Sequence, residues 1–260
     1  MVPAIEALRQ RHGDYGYDAP LTGLLPPGVG GLLLAALAAL HLRRGRRTLA
    51  WLELASSLPM LLTFGVFLHT TRRGKFAVWA EVLAHLHLRG DERVLDMGCG
   101  RGAVMAMVAK LVPRGHVTGL DLWRTEDQSG NRPEVTARNL SLEGVADHCK
   151  LETGDMLAMP FPDASFDLVV SSLAIHNIDE RDVRHHERRL RAVAEAVRVL
   201  KPGGRLAIAD LLWAGRYAQH LRGLGMQAVE HRPLGWRFWY LPGLGGELVL
   251  ATKPDAAARR

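Results

Sequence analysis

The 260 residues include only two cysteines, Cys99 and Cys149, and no Cys-x-x-Cys pair. That excludes a disulfide framework and a structural zinc site, and it points to a reducing compartment. No secretory signal is expected. The first apolar run begins at Ala19, behind the acidic Asp14 and Asp18, and lacks a small-residue cleavage site. Charge of one sign is also missing where nucleic-acid binding would need it. The net charge is +6, but residues 1–75 hold nine Arg and Lys against four Asp and Glu, whereas the other 185 residues hold 24 against 23. The globular part is therefore nearly neutral, with no obvious stacking platform, and no nucleic-acid partner is expected. His185 and His186 lie in the charged run RDVRHHERRLR and read as a solvated helix face, so no metal is expected.

What the sequence has in abundance is long apolar runs. Ala19 to Leu42 carries no charge over 24 residues, and Thr48 to Thr71 carries only Glu53 over another 24. Each is long enough to cross a hydrocarbon core of about 30 Å. GLLLAALAALHL shows no polar face, which argues against a buried helix of a soluble bundle. Arg43, Arg44, Arg46 and Arg47 separate the runs, and Arg72, Arg73 and Lys75 follow the second. Two full spans would put these clusters on opposite sides, although both favour the cytoplasm. The alternatives are a second segment that dips and returns at Ser56 to Pro59, or two helices lying along the membrane surface. The expectation is a membrane-anchoring helical hairpin over residues 1–75, contacting the membrane through residues 19–71, with residues 76–260 as a separate domain on the cytoplasmic side.

From Phe76 onward the pattern changes. Apolar residues at 76, 79, 83, 86 and 88 suggest a helix. Strand-like runs follow at 93–97, 116–120, 150–153, 166–172, 205–210, 227–232 and 247–253, with helical runs at 102–112, 133–143, 182–200 and 214–223. This alternation predicts an α/β fold with a mostly parallel sheet. The last two strands lack a helix between them and should pair antiparallel at one edge. In such sheets ligands bind beyond the carboxyl ends of the strands.

Those ends carry the chemistry. VLDMGCGRGA, residues 94–103, places Asp96 before Gly98, Gly100 and Gly102, so the backbone can turn tightly and approach a ligand closely. With Ala103 the loop also satisfies the loose dinucleotide pattern, so a nicotinamide enzyme stays in view. Asp96 favours a cationic amino-acid group over a pyrophosphate. Asp121 ends the second strand, where a carboxylate can accept from ribose hydroxyls, with Leu122 beside it. Asp155 and Met156 follow the third strand and suit an adenine edge and face. The fourth strand ends in Ser171 and Ser172, then His176 and Asn177.

Together these motifs resemble class I S-adenosylmethionine-dependent methyltransferases over residues 90–253. The resemblance implies a Rossmann-like seven-stranded mostly parallel sheet with an antiparallel edge strand, and S-adenosylmethionine as cofactor. It implies cofactor contacts from Asp96, Gly98, Gly100, Gly102, Asp121, Leu122, Asp155, Met156 and Ser171. His176 is the expected general base or a residue packed beside the cofactor, and Asn177 and Asp127 are further catalytic candidates. The segment 121–134, with Trp123, Arg124, Asp127, Gln128 and Asn131, is either a flap over the pocket or a solvated loop. Lys75 and Trp79 are candidates to close the pocket from the other side. Trp236, Phe238, Trp239 and Tyr240 read as core or as a bilayer-interface cluster. The apolar runs favour a small-molecule or lipid acceptor. A non-catalytic cofactor-binding membrane sensor or scaffold is the alternative.

Overall fold

The strand-like runs form strands because their alternate residues face two different apolar layers. In the computed structural model, which describes residues 5–18, 21–178 and 186–255, Val94 of one strand packs in one core, and Leu95 and Met97 pack in the other. Leu168 and Val170 are likewise separated from Val169. This is the period of two that a sheet covered on both faces imposes.

The chain begins with α1 (Ile5–Arg9), α2 (Leu21–Arg43), α3 (Arg47–His69) and α4 (Lys75–His85). The alternating part follows as β1 (Arg93–Met97), α5 (Ala103–Ala109), β2 (His116–Asp121), α6 (Pro133–Leu142), β3 (Cys149–Thr153) and β4 (Phe166–Ser172). It continues with α7 (His186–Val199), β5 (Leu200–Asp210), α8 (Ala214–Gly223) and β6 (Gln227–Pro233). A short hairpin, β7 (Trp239–Leu241) with β8 (Leu244–Gly245), precedes β9 (Glu247–Thr252).

The seven-stranded sheet has the order β3-β2-β1-β4-β5-β9-β6. β1 to β5 pair in parallel, and β9 runs antiparallel to both of its neighbours. The β6–β9 pair sits at the edge as expected. Its reversed member is the inner strand, because the β7–β8 hairpin turns the chain back between β5 and β6. Of the helical run expected at 182–200, residues 182–185, including His185, lie outside the described residues.

The first apolar layer contains residues of α4 and α5, including Trp79, Leu83, Met105 and Val108. The second is closed by Ala192, Val193 and Ala196 of α7 and by Tyr217 and Leu221 of α8.

Two findings revise the expected boundary at residue 75. Leu8 and Tyr15 are buried in the first apolar layer, so residues 5–18 belong with the α/β unit. Glu143 fastens them there. Its Oε1 accepts the N–H groups of His12 at 2.6 Å and Gly13 at 2.9 Å and the Tyr15 hydroxyl at 3.0 Å, and its Oε2 accepts Lys110 Nζ at 2.6 Å. The helix also does not stop at residue 71. α3 passes through one wide turn, Thr70–Gly74, directly into α4, giving a single helical rod from Arg47 to His85. The interruption that the dip-and-return alternative places at Ser56 to Pro59 does not occur. α3 continues past Pro59, and the Ser56 and Ser57 hydroxyls donate to the carbonyls of Leu52 and Leu54 at 2.9 Å each.

α2 and α3 form the hairpin. Glycines on α2 let α3 approach closely: a Cβ on Gly30 would stand 2.6 Å from Met60 Cε, and one on Gly31 2.8 Å from Leu61 Cγ. Their outer surfaces remain apolar and open, with Leu32, Leu33, Trp51, Leu52, Leu58 and Leu62 all more than half exposed. Both helices are long and apolar enough to cross a membrane, and only 17% and 11% of the apolar windows are covered by protein.

Candidate active site

A cavity of about 1230 Å³, counting its open mouth, lies at the carboxyl ends of β1, β2 and β4 and the start of the loop after β3. Asp96, Gly98, Gly100, Asp121, Leu122, Asp127, Asp155, Met156 and Asn177 all line it. β1 carries Asp96 into this cavity at 1% exposure, and neither carboxylate oxygen has a hydrogen-bond partner among the described residues. Burial, with the charge of Asp121 adding to it, outweighs the nearby Met105 N–H, which falls short of hydrogen-bond geometry, and pushes this carboxyl up to about 7. An orphaned buried carboxylate calls for a cation.

Beyond Asp96 the backbone turns through left-handed conformations. Gly98 has φ of +76°, and a Cβ there would stand 2.3 Å from that of Ala174. The N–H groups of Gly98 and Cys99 donate to the Leu120 carbonyl at 2.8 and 3.1 Å. The Gly100 N–H donates to Asp121 Oδ2 at 2.7 Å. Asp121 Oδ1 accepts the Trp123 N–H at 2.6 Å and Asn131 Nδ2 at 3.1 Å. Three donors therefore fix this carboxylate at the end of β2 while leaving it acceptor capacity. Asp155 Oδ1 accepts the Leu157 N–H at 2.9 Å, which sets the turn after β3.

Segment 121–134 folds back over the glycine loop. Gln128 Oε1 accepts the Arg101 N–H at 2.8 Å, and Gln128 Nε2 donates to the Tyr15 carbonyl at 3.2 Å. Arg101 bonds Asp14 at 2.9 Å and the Ser129 carbonyl at 2.8 Å. The flap is thus strapped by residues 14–18, and Arg124 and Asp127 line the cavity from it.

Three sequence candidates lie elsewhere. Ser171 is buried, and its hydroxyl donates to the Met97 carbonyl at 2.8 Å, tying β4 to β1. Strand alternation gives the cavity position to Ser172 instead, which accepts Trp79 Nε1 at 2.8 Å. Gly102 is the left-handed residue that opens α5, and a Cβ there would meet Thr136 Cγ2 at 2.9 Å. It shapes the loop without lining the cavity. His176 also lies outside the lining. Its N–H donates to Asp210 Oδ2 at 3.0 Å and its Nδ1 bonds Asp210 Oδ1. Asp210 closes β5 and was legible as a strand-end acid.

The far wall comes from residues flanking the hairpin. Lys75 and Trp79 line the cavity as expected, joined by Phe76 and by Asp18, which pairs with Lys75. Asp18 carried no signal in the sequence, since 78 residues separate it from Asp96. The aromatic cluster after β6 divides: Phe238 and Tyr240 are buried, whereas Trp236 is 61% exposed and stacks on His69 near the end of α3.

Residues 95–208 match the family model described as a methyltransferase domain. The chain carries a class I S-adenosylmethionine-dependent methyltransferase domain. It is 34% identical over 129 residues to 27-O-demethylrifamycin SV methyltransferase of Amycolatopsis mediterranei, covering 49% of this chain and 41% of that one. It is 32% identical over 134 residues to a demethylmenaquinone methyltransferase of Symbiobacterium thermophilum, covering 51% and 48%. The chain thus spans about half or less of the curated relatives it matches. Among solved structures, a SAM-dependent methyltransferase from Aquifex aeolicus superposes with a TM-score of 0.52 at 20% identity, covering 67% of this chain and 88% of that one. That likeness establishes the fold of the methyltransferase domain, with S-adenosylmethionine as the methyl donor its family implies.

Proposed function

We propose that the protein is a membrane-associated methyltransferase that moves the methyl group of S-adenosylmethionine to a small apolar or amphiphilic acceptor. The observation that carries this reading is the composition of the cavity. One side offers an orphaned buried carboxylate beside a glycine loop, and the other is built from Asp18 and Lys75, which flank the apolar hairpin.

Asp96 suits the cofactor's ammonium group, Asp121 with Leu122 its ribose, and Asp155 with Met156 its adenine. Gly98 and Gly100 supply close backbone approach. When bound, the cofactor supplies a methyl group on a positively charged sulfur, a leaving group that needs no further activation. The protein's task is then to orient the acceptor and exclude water. The flap, with Asp127, and the loop after β4, with Asn177, are the parts that do so. His176 acts through packing and through Asp210.

A hairpin whose outer face is apolar gains nothing with a polar metabolite, but it raises the local concentration of an acceptor dissolved in lipid. One of the matched relatives is named for demethylmenaquinone and another for 27-O-demethylrifamycin SV, both small molecules. We assign the domain to the cytoplasmic side, where the free thiols of Cys99 and Cys149 persist.

The test is to incubate membranes containing the protein with methyl-labelled cofactor. Label in the lipid extract that depends on Asp96 is expected. Cofactor binding without any lipid-extractable label would overturn the reading.

A further inference from the structure

Lys75 is the buried cation of the cavity wall, at 5% exposure. An ammonium group has three donors. Among the described residues one is spent, on Asp18 Oδ1. Asp18 has other donors besides that lysine. Its Oδ2 accepts the Thr71 hydroxyl and the Tyr240 hydroxyl at 2.9 Å each, and Gln128 Nε2 stands 3.5 Å from its Oδ1. The carboxylate keeps two close donors on Oδ2 without lysine, while the lysine holds unspent donors in a place where burial makes them costly.

Lys75 and Trp79 stand four residues apart on α4 and share one of its faces. Both line the cavity, with Phe76 between them, and Lys75 Nζ lies 5.4 Å from the Phe76 ring centre. Lys75 also directly follows the wide turn Thr70–Gly74 that ends the apolar α3. A charged donor, two aromatic rings and the base of the hairpin therefore meet at one point.

We propose that Lys75 selects the methyl acceptor by binding an acidic aromatic hydroxyl, that of a lipophilic phenol or hydroquinone, as its anion, with the ring against Trp79 and Phe76. This rests on the methyltransferase reading above and names its substrate class. The hydroxyl proton passes to water, and the ammonium holds the oxyanion left behind. A cation at hydrogen-bond distance lowers such a pKa by about 1 to 3 units. An aliphatic alcohol stays neutral at this site and gains only an ordinary hydrogen bond.

The probe is 2-naphthol, whose anion has its own absorption band. It is titrated with pH on the full chain in detergent, with S-adenosylhomocysteine present. The bound probe is expected to ionise at least about one unit below its free value, and Lys75→Met is expected to abolish the shift and weaken binding about tenfold. Asp18→Asn, which releases the ammonium from its partner while leaving it charged, is expected to deepen the shift. A purely structural ion pair predicts the opposite for Asp18→Asn, so this variant decides the matter even if Lys75→Met fails to fold. Failure of the wild-type protein to bind the probe, or an equal shift in Lys75→Met, overturns the assignment. A retained shift without methylated lipid would overturn the enzymatic reading and leave this site standing.

Discussion

The side-chain oxygen of Gln128 stands where Gly100 leaves room for it: a Cβ on Gly100 would lie 2.3 Å from Gln128 Oε1. Gly100 also has φ of +50°, so a side chain there is strained twice, by conformation and by collision. Gly100→Ala should push the flap away from the Arg101 N–H and weaken cofactor binding by at least about tenfold, an energy of roughly 1.4 kcal/mol. Adding Gln128→Ala should recover only the collision part. Calorimetric titration with S-adenosylhomocysteine measures both, and unchanged affinity in Gly100→Ala would remove the flap from the site.

The raised carboxyl of Asp96 makes cofactor binding depend on pH. A carboxyl at about 7 in the free protein is mostly protonated below that value. A cationic ligand needs it ionised, so binding must expel the proton. Affinity should then fall by up to about tenfold for each pH unit below 7 and level off above it. The free protein shows the converse. Its folded-state carboxyl lies above the unfolded value near 3.9, so Asp96 costs stability at pH 8 and the cost disappears as the pH falls toward 4. Asp96→Asn should bind weakly with no such slope, and should melt higher than the wild type at pH 8. A flat affinity profile in the wild type between pH 5.5 and 8.5 would refute this.

The sheet was legible because its signals are local. β1 and β4 begin and end where the apolar runs of residues 93–97 and 166–172 do. Asp96 near the end of β1, Asp121 at the end of β2 and Asp155 just beyond β3 were legible for the same reason, each by its position relative to a strand. Ser171 was misassigned for want of phase. A continuous apolar strand hides which serine faces which side, and the bonds of Ser171 to the Met97 carbonyl and of Trp79 to Ser172 reveal it. His176 stays open between base and packing residue in the sequence, because a histidine beyond β4 shows nothing of Asp210, 34 residues on, which engages its ring. Asp18 and the strap at 5–18 were invisible. Their partners, Lys75, Glu143 and Arg101, are remote in sequence, and no periodicity records such contacts.

Glu143 holds that strap, and its removal should release it. Burial opposes its charge, but Lys110 and the N–H groups of Gly13 and His12 prevail and hold the carboxyl down at about 2. A depressed carboxyl contributes stability that is present above its unfolded value near 4.3 and lost as the pH falls toward 2. Glu143→Ala leaves Lys110, the Tyr15 hydroxyl and two backbone donors without their acceptor, a loss of about 3 kcal/mol at pH 7. Limited proteolysis should then cut within residues 5–18 at a protease level the wild type resists, and the melting temperatures of the two proteins should converge as the pH falls to about 2. Equal protection of this segment in both proteins would show that its apolar packing and the bonds of Asp14 and Tyr15 to Arg101 and Gln128 hold it without Glu143.

The hairpin gives the sharpest test of membrane association. α2 and α3 have 23 residues each, about 34 Å of helix, which matches a hydrocarbon core of about 30 Å. Arg43, Arg44, Arg46 and Arg47 stand at the tip, and Trp236, Arg72 and Arg73 lie near the base. One pair breaks the apolar length: His41 Nδ1 lies 2.9 Å from Glu53 Oε2 across the two helices. It sits close enough to the tip to reach head groups if the hairpin crosses fully. The wild type should therefore stay with the membrane through alkaline carbonate washing. Leu33→Arg combined with Leu58→Arg places charge on the open faces at mid-length, where each costs about 3 kcal/mol in lipid, and should release the protein. A cysteine placed at Arg44 reports the depth. Labelling by an impermeant reagent from the face opposite the methyltransferase domain requires a full crossing, and labelling only from the domain's own face requires a hairpin lying at the surface.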